Sequence, residues 1–489
     1  MNYYSTRNEK KTYSAAQAIA MGLAPDGGLF VPETIPAVSA EELRALCGMD
    51  YRARAVDIMR RFLPEFSAEE LEYFVAHAYA ENFDHSAVAP LRFTDERTAY
   101  LELWHGPTCA FKDMALQMLP YLLTASLKKT GEKREVCILV ATSGDTGKAA
   151  LEGFADVPGT RIFVFYPSGG VSAIQRLQMV TQRGENVGVC AVKGNFDDAQ
   201  TGVKQVFGDA AFAEELSRRG FFLSSANSIN WGRLLPQIVY YFSAYCDFVN
   251  AGRLAAGDEI VFCVPTGNFG NILAGWFARQ MGLPVKRFVC ASNANDVLTE
   301  FIRTGVYDKN RPFHLTISPS MDILVSSNLE RLLYMLCGDE ATKGFMAKLA
   351  AEGRYDVGAE VRARIGEQFY AACCDDDATR AKIAETWKQS GYLIDTHTAV
   401  AANAIGQYRA ETGDATPAVV VSTASPFKFA QDVCAALGAE AGEDPLQALS
   451  AFCGIPTPAP LSGLDSRPVR FDGVTEKTEM RAVVDGFLR

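Results

Sequence analysis

The segment ELWHGPTCAFKDMALQM, residues 102–118, places a lysine, Lys112, between Phe111 and Asp113 at the start of a helical pattern, behind a Gly-Pro-Thr turn. The positive end of a helix dipole disfavours an ammonium group, and so does burial, so we expect the pKa of Lys112 to be lowered. A lysine that is partly neutral can attack a carbonyl carbon and form a Schiff base. An ordinary solvated side chain is the alternative, and the rest of the chain has to decide between the two.

A glycine-rich loop later in the chain could bind a phosphate group. TGNFGN, Thr266–Asn271, follows an apolar strand pattern and opens a helical one, so its backbone N–H groups and the helix dipole form an anion site. It lacks the third glycine of the dinucleotide fingerprint and the lysine of nucleotide-triphosphate loops, which disfavours nucleotide binding. The loop is therefore either a site for one phosphate or a tight turn between strand and helix.

A second loop, SGDTG, Ser143–Gly147, has the same setting. Its helix N-terminus and the hydroxyls of Ser143 and Thr146 could hold a carboxylate or another phosphate, although an ordinary capped helix start fits equally well. Asp145 suits an anion-binding loop only if it accepts a hydrogen bond itself or orients one. A lysine of lowered pKa, a phosphate loop and a carboxylate loop together suggest pyridoxal phosphate acting on an amino acid.

The elements that must position these residues alternate along the chain. Apolar, β-rich runs precede helical patterns at EVCILVA (135–141), RIFVFYP, NVGVCAV, EIVFCV (259–264) and AVVVST (418–423). This alternation predicts an α/β protein with mostly parallel sheets, covered on both faces, and ligands at the carboxyl ends of the strands. Before about residue 90, three segments that open on serine predict capped helices, and residues 454–473 predict an extended connection over the surface.

Composition excludes several classes of function. The 489 residues are 48% hydrophobic and 21% charged, with a formal charge of −11, which is typical of a soluble globular protein. No basic run indicates nucleic acid, and neither a long apolar run nor a signal pattern indicates a membrane. The twelve scattered cysteines predict buried, reduced thiols in a cytoplasmic protein, and the five histidines have no spacing that predicts a metal site.

Eight segments, in order, resemble blocks of the threonine synthase family in its long-chain form, pyridoxal-phosphate enzymes with a tryptophan-synthase-β-like fold. They are STRN with GLAPDGGLFVPE, HGPTCAFKD, TSGDTG, SSANSINWGRLLPQIVYYF, PTGNFGN, SPSMDILVSSNLER, IDTHTAVA and STASPFKF. The resemblance covers almost the whole chain, and NSINWGR and SMDILVSSNLER are its most specific blocks.

The resemblance implies pyridoxal-phosphate fold type II: two open, mostly parallel-sheet α/β lobes with the cofactor between them, plus a mostly helical N-terminal domain. We expect the N-terminal domain to cover residues 1–90. The large lobe would contain residues 91–112 and 235–489, and the smaller, mobile lobe residues 113–234. A monomer or a homodimer is expected.

The resemblance also implies a site, residue by residue. Lys112 would form the Schiff base with pyridoxal 5'-phosphate and act as the catalytic residue, while Thr423 would face the ring nitrogen. The cofactor phosphate would be held by Gly267, Asn268, Phe269, Gly270 and Asn271. The substrate carboxylate would be received by Ser143, Gly144, Asp145 and Thr146.

A phosphate on the substrate needs its own cationic or amide receptor. The candidates are Ser228, Asn230 and Arg233 of NSINWGR, with Lys148 after SGDTG. Arg233 and Lys148 could instead be ordinary charges on a helix surface. His105 and His397 are candidates for acid–base work, or simply hydrogen-bonded histidines of the core.

The substrate of the family is O-phospho-L-homoserine, which loses phosphate from Cγ and gains water at Cβ to give L-threonine, with Lys112 moving protons. Two residues depart from the usual family pattern: Cys109 replaces a leucine, and Ser425 replaces a histidine, which removes a titratable group near the cofactor. The nearest alternative is a phospholyase that releases 2-oxobutyrate, ammonia and phosphate. A non-catalytic protein that binds pyridoxal phosphate or another ligand is the alternative from a different class.

Overall fold

The computed structural model describes the backbone of residues 1–489 and every side chain except that of Asp197. The N-terminal region contains strands β1 (Tyr3–Ser5), β2 (Asn8–Tyr13) and β3 (Phe30–Pro32), in an antiparallel sheet of order β2-β1-β3. Its helices are α1 (Ala15–Met21), α2 (Ala40–Cys47), α3 (Tyr51–Phe62) and α4 (Ala68–Ala78). Ser14, Ser39 and Ser67 cap α1, α2 and α4 in capping boxes, as the serine-led segments predict.

Residues 91–224 form two strands of a six-stranded sheet and four of the five strands of a second sheet. Residues 91–130 supply β4 (Leu91–Phe93), β5 (Thr98–Glu102), α5 (Asp113–Leu116) and α6 (Leu119–Thr130). Residues 135–224 supply β6 (Glu135–Ala141), α7 (Asp145–Phe154), β7 (Thr160–Pro167), α8 (Ala173–Val180), β8 (Val187–Val192), α9 (Phe196–Gly208), α10 (Ala210–Arg218) and β9 (Phe221–Ser224).

The remaining chain completes both sheets. Its strands are β10 (Ile260–Pro265), β11 (Val285–Ser292), β12 (Val306–Asp308), β13 (Arg354–Asp356), β14 (Phe369–Cys373), β15 (Ala418–Ser422) and β16 (Val474–Thr475). Its helices are α11 (Trp231–Asn250), α12 (Gly270–Gln280), α13 (Val297–Thr304), α14 (Leu329–Glu352, interrupted at Gly338), α15 (Gly358–Gln368), α16 (Asp376–Ser390), α17 (Thr396–Thr412), α18 (Ala430–Leu437), α19 (Pro445–Cys453) and α20 (Met480–Phe487). Short 3-10 helices cover Pro319–Met321, Pro426–Phe429 and Lys477–Glu479.

The two larger sheets are mostly parallel, which confirms the predicted fold class. The six-stranded sheet has the order β14-β11-β10-β15-β5-β4, and within it only the edge pair of β4 with β5 is antiparallel. The five-stranded sheet has the order β16-β8-β7-β6-β9, with all neighbours parallel. Helix α11 is buried along most of its length and packs against α2, α3, α5 and α12, so it joins the N-terminal region to the six-stranded sheet.

The end of the chain returns to the smaller sheet. Strand β16 pairs with β8, and Met480 and Val484 of α20 are buried in the same apolar cluster as Phe212 and Cys137. The predicted lobe boundaries remain a prediction; residues 474–487 lie against the five-stranded sheet, through the pairing of β16 with β8 and the packing of α20. Within the described part of the chain, no helix is both long and apolar enough to cross a membrane.

Candidate active site

The loop that carries Lys112 is fastened to the loop after β15 by backbone hydrogen bonds. The N–H of Phe111 donates to the carbonyl oxygen of Thr423 over 2.8 Å, and the N–H of Ser425 donates to the carbonyl oxygen of Cys109 over 3.0 Å. Cys109 is buried and has a φ of 57°, so the chain turns sharply just before the lysine. These contacts fix the position of Lys112 relative to Thr423, as the proposed roles of the two residues require.

The amine of Lys112 has an environment that lowers its affinity for a proton. Burial lowers the pKa of Lys112 to about 8; the carboxylate of Asp145 opposes this shift, and the charges of Arg233 and Lys428 reinforce it. The Nζ atom also lies 4.3 Å from the centre of the Phe111 ring. The direction is the one the sequence predicts, and burial is its main cause.

The TGNFGN loop joins β10 to α12 in a strained conformation. Phe269 has a φ of 61°, which is unusual for a bulky residue, and a Cβ at Gly267 would lie 2.7 Å from the carbonyl oxygen of Ser320. Two neighbours hold the loop: Ser326 Oγ donates to the Gly267 carbonyl over 2.7 Å, and Asn328 Nδ2 donates to the Asn268 carbonyl over 3.0 Å. The backbone N–H groups of residues 267–271 make no hydrogen bond to the described residues, so they can receive an anion.

The last residue of this loop presents a buried donor. Asn271 Oδ1 accepts hydrogen bonds from the hydroxyls of Tyr240 (2.6 Å) and Tyr241 (2.8 Å), which fixes the orientation of the amide. Its Nδ2 is buried and has no partner among the described residues. An unpaired buried donor is costly, and a bound phosphate oxygen would satisfy it.

The SGDTG loop joins β6 to α7. Thr142 Oγ1 accepts the N–H groups of Gly144 and Gly147, each over 2.9 Å, and so shapes the turn. The N–H groups of Asp145 and Thr146 make no hydrogen bond to the described residues, nor do the hydroxyls of Ser143 and Thr146. These free donors at a helix N-terminus can receive a carboxylate.

Asp145 has its charge balanced by a residue that the sequence reasoning missed. Lys428 is 0% exposed, and its Nζ lies 2.7 Å from Asp145 Oδ1 and donates to the Thr108 carbonyl over 2.9 Å. Gln175 Nε2 also donates to Asp145 Oδ1, over 2.9 Å. Although burial alone would raise the pKa of Asp145, the ammonium groups of Lys428 and Lys112 hold that pKa well below its ordinary value.

Two polar residues of the NSINWGR segment, Asn230 and Ser228, have different surroundings. Both polar side-chain atoms of Asn230 are hydrogen-bonded. Its Nδ2 donates to the Ile19 carbonyl over 3.0 Å, and its Oδ1 caps α11 by accepting the Gly232 N–H over 2.8 Å. Ser228 lies beside the TGNFGN loop, where its Oγ accepts a hydrogen bond from Asn328 Nδ2 over 3.1 Å.

Arg233 is a buried guanidinium that has no carboxylate partner among the described residues. It is 3% exposed, donates to the Ala226 carbonyl, and its Nε is without a hydrogen-bond partner there. Burial lowers the pKa of Arg233 to about 10, and its charge in turn lowers the pKa of Lys112, so the two charges lie near enough to interact. A buried positive charge of this kind is stabilised by an anion.

Three other candidates, Lys148, His105 and His397, have hydrogen-bond partners within the protein. Lys148 pairs with Glu152 over 2.7 Å and also donates to Gln182. His105 lies between Asp84 and Glu102, with its ring nitrogens 2.5 and 2.9 Å from their carboxylates.

His397 is also fixed by hydrogen bonds. Its Nδ1 lies 2.8 Å from Asp395 Oδ2, and its Nε2 accepts the N–H of Ser320 over 3.1 Å, which fixes the proton on Nδ1. Ser320 in turn contacts both anion-binding loops, because its Oγ is 3.5 Å from Asp145 Oδ2 and its carbonyl oxygen abuts Gly267. His397 therefore positions the segment between the two loops.

The residues present fit pyridoxal phosphate. Free N–H groups and the unpaired amide of Asn271 suit its phosphate, and the amine of Lys112 suits its aldehyde. The hydroxyl of Thr423, which makes no hydrogen bond to the described residues, suits the ring nitrogen as a neutral partner. Ser425, in place of the usual histidine, is buried and caps the 3-10 helix that carries Lys428.

Comparison with known proteins gives matches over nearly the whole chain. Family models match residues 2–79 (threonine synthase N terminus), 97–424 (pyridoxal-phosphate dependent enzyme) and 398–484 (threonine synthase, C-terminal). A threonine synthase of Pseudomonas aeruginosa is 41% identical over 88% of this chain and 90% of its own.

Two further matches extend the comparison. Threonine synthase-like 1 of Homo sapiens is 41% identical over 86% of this chain, which spans only 58% of the human protein. The crystal structure of threonine synthase from Brucella melitensis with bound pyridoxal phosphate is 38% identical, superimposes with a TM-score of 0.88 and covers 100% of both chains.

Proposed function

Because the chain belongs to the threonine synthase family of pyridoxal-phosphate-dependent enzymes, we propose that it converts O-phospho-L-homoserine and water into L-threonine and phosphate. The observation that carries the proposal is the buried guanidinium of Arg233, whose Nε has no hydrogen-bond partner among the described residues and whose charge lowers the pKa of Lys112. Two anion loops already account for a cofactor phosphate and a substrate carboxylate. A third anion receptor is expected only if the substrate carries a second anionic group, such as a phosphate.

Each receptor has one role in this proposal. Residues 267–271 bind the cofactor phosphate, and Lys112 holds the cofactor through Nζ, with Thr423 at the ring nitrogen. Ser143, Gly144, Asp145 and Thr146 line the receptor for the substrate carboxylate. Arg233 and Ser228 bind the phosphate that leaves. Asn230 supports this group as the cap of α11, since its side chain is already fully hydrogen-bonded.

The reaction breaks the Cγ–O bond and one Cβ–H bond and forms a Cβ–O bond and a Cγ–H bond, so phosphate leaves with its bridging oxygen and the new hydroxyl oxygen comes from water. The bound cofactor withdraws electrons from the substrate and so acidifies its Cα and Cβ protons. Lys112 takes the Cα proton when its amine is free, which its lowered pKa favours near neutral pH. Arg233 stabilises the negative charge that develops on the departing phosphate.

The smaller lobe is proposed to close over the substrate and exclude water until the hydration step. In this proposal residues 91–112 and 235–473 form the larger lobe. Residues 113–234 form the smaller one together with residues 474–489, because β16 pairs with β8 and α20 packs in the apolar cluster of the same sheet. The contact of Lys428 with Asp145 crosses the boundary between the lobes. The chain acts as a monomer or a homodimer.

Product analysis tests the proposal. The cofactor-loaded protein is incubated with O-phospho-L-homoserine, and phosphate, L-threonine and 2-oxobutyrate are quantified. We expect one L-threonine per phosphate. Phosphate with 2-oxobutyrate would identify a phospholyase, and no release of phosphate would contradict the proposed substrate.

A further inference from the structure

Lys428 is an unusual residue for the interior of this protein. It lies in the 3-10 helix after β15 and is 0% exposed. Burying an ammonium group is costly unless it is paired and hydrogen-bonded, and Lys428 has both kinds of partner, Asp145 at 2.7 Å and the Thr108 carbonyl at 2.9 Å. No other described carboxylate binds its Nζ, because Asp113 nearby is occupied by the N–H and hydroxyl of Thr108.

Asp145 raises an electrostatic problem for the loop in which it lies. It is the first residue of α7, next to the free N–H groups that are proposed to receive the substrate carboxylate. Two like charges about 6 Å apart in a protein interior repel strongly enough to change affinity by a factor of about ten or more. Without compensation, the aspartate would work against the loop that contains it.

We propose that Lys428 is a positioning residue that cancels the charge of Asp145, and that this cancellation allows the SGDTG loop to accept the carboxylate of an amino-acid substrate. The proposal rests on the proposed function of this loop. Lys428 acts through Asp145 and does not touch the substrate. Asp145 accepts from Lys428 and Gln175 on one oxygen, so its carboxylate is turned toward them while its backbone N–H stays free.

A purely structural ion pair predicts a different result from charge cancellation. If the pair only holds two segments together, removing either partner should weaken ligand binding in the same way. If the charge matters, the two single substitutions should act in opposite directions. Lys428→Gln leaves an excess negative charge beside the loop, whereas Asp145→Asn leaves an excess positive charge. Lys428→Gln with Asp145→Asn restores neutrality with side chains that still form hydrogen bonds.

The test measures equilibrium binding to the cofactor-loaded protein, by the change in cofactor absorbance, with two probes. L-Threonine carries the carboxylate, and 1-amino-2-propanol is the same molecule without it. We expect Lys428→Gln to weaken L-threonine binding about tenfold or more while changing 1-amino-2-propanol binding less than about threefold. Asp145→Asn should bind L-threonine at least as tightly as the unsubstituted protein, and the double variant should come within about threefold of it.

Lys148→Gln is the matched control, because Lys148 is also a buried lysine paired with a carboxylate, Glu152, and lies on the same helix as Asp145. It should leave the preference for L-threonine unchanged. If Lys428→Gln does not fold, Asp145→Asn and the double variant still make the comparison.

Three results would overturn the proposal: equal losses in both single variants, a double variant that binds L-threonine about tenfold or more weakly, or unsubstituted protein with no preference for the carboxylate. Binding is measured without turnover, so a failure of the proposed reaction would be recognised separately.

Discussion

At the residue scale, the proton affinity of Lys112 reflects opposing influences. Burial lowers the pKa of its amine to about 8, while Asp145 raises it and Arg233 lowers it further. The amine therefore releases its proton within about two units of neutral pH, unlike a solvated lysine. A base for carbon acids needs this property, and burial of the amine is its main cause.

Replacing Lys112 by alanine removes both the covalent link to the cofactor and the base. We expect turnover of O-phospho-L-homoserine to fall about 1,000-fold or more. Borohydride reduction followed by peptide mapping should find the cofactor on residue 112 of the unsubstituted protein and nowhere on Lys112→Ala. Lys148→Ala serves as the control, and label retained by Lys112→Ala would assign the cofactor to another lysine.

Arg233→Met removes the charge proposed to hold the leaving phosphate while keeping a long apolar side chain in a buried position. Hydrogen bonds to charged groups contribute about 1.5–3 kcal/mol, so kcat/KM for O-phospho-L-homoserine should fall about 10–100-fold. The affinity for L-threonine, which has no phosphate, should change less than about threefold. An unchanged kcat/KM would mean that the substrate phosphate binds elsewhere.

Close contact between two helices matters at the scale of secondary-structure elements. Gly153 of α7 faces α5, the short helix that begins directly after Lys112, and a Cβ there would lie 2.1 Å from the carbonyl oxygen of Leu116. The absence of a side chain at this one position lets the helix of the SGDTG loop approach the lysine segment. Any residue larger than glycine must push the two elements apart.

Gly153→Ala should therefore destabilise the fold although alanine favours helices. We expect a loss of about 1–3 kcal/mol in the free energy of unfolding, together with weaker cofactor binding, measured by chemical denaturation and by absorbance titration. Gly406→Ala, in α17 with open space around the new methyl group, is the matched control and should stabilise by up to about 1 kcal/mol. Equal effects of the two changes would show that the contact is not tight.

His105 links the end of β5 to the segment after α4 by contacts with Glu102 and Asp84. Burial lowers the pKa of His105, but the two carboxylates outweigh burial, so the pKa is raised above its ordinary value. The contacts of His105 with the two carboxylates therefore contribute stability that is fully present below the pKa of the histidine in the unfolded state. That stability is lost as pH rises through the pKa of the histidine in the folded state.

We accordingly expect His105→Gln to destabilise the protein more at pH 6 than at pH 9 in urea denaturation. His314→Gln, at an exposed position, is the control and should have little effect at either pH. A destabilisation by His105→Gln that is the same at both pH values would show that the histidine carries no charge in the folded state.

At the scale of the whole molecule, the sequence predicts what local patterns encode. The apolar runs at Glu135–Ala141 and Ala418–Ser422 became buried parallel strands because both faces of each sheet are covered. Strand Asn8–Tyr13 was not predicted, because five of its six residues are exposed and show no alternation. Strand β16 was also missed, since its two residues are defined only by pairing with β8.

In the candidate site, too, the sequence predicts local segments but not the contacts between distant residues. Lys112, the two loops and Thr423 stand in recognisable segments, and the structure brings them together. Lys428 and Asp145 are separated by 283 residues along the chain, so only the fold could reveal their pairing. The sequence offered two signals for this pairing: a lysine between two phenylalanines in STASPFKF, and an aspartate, Asp145, that needed a partner. Asn230 was predicted to bind substrate and instead has its polar atoms engaged by the backbone.

The central claim is that phosphate leaves Cγ by breaking the carbon–oxygen bond and that water adds at Cβ. Turnover of O-phospho-L-homoserine in water labelled with oxygen-18 tests it most directly. We predict one labelled oxygen in the hydroxyl of L-threonine and none in the phosphate at early times. Label in the phosphate with formation of homoserine would reveal simple phosphate-ester hydrolysis, and label in 2-oxobutyrate without threonine would reveal a lyase; either result would contradict the account.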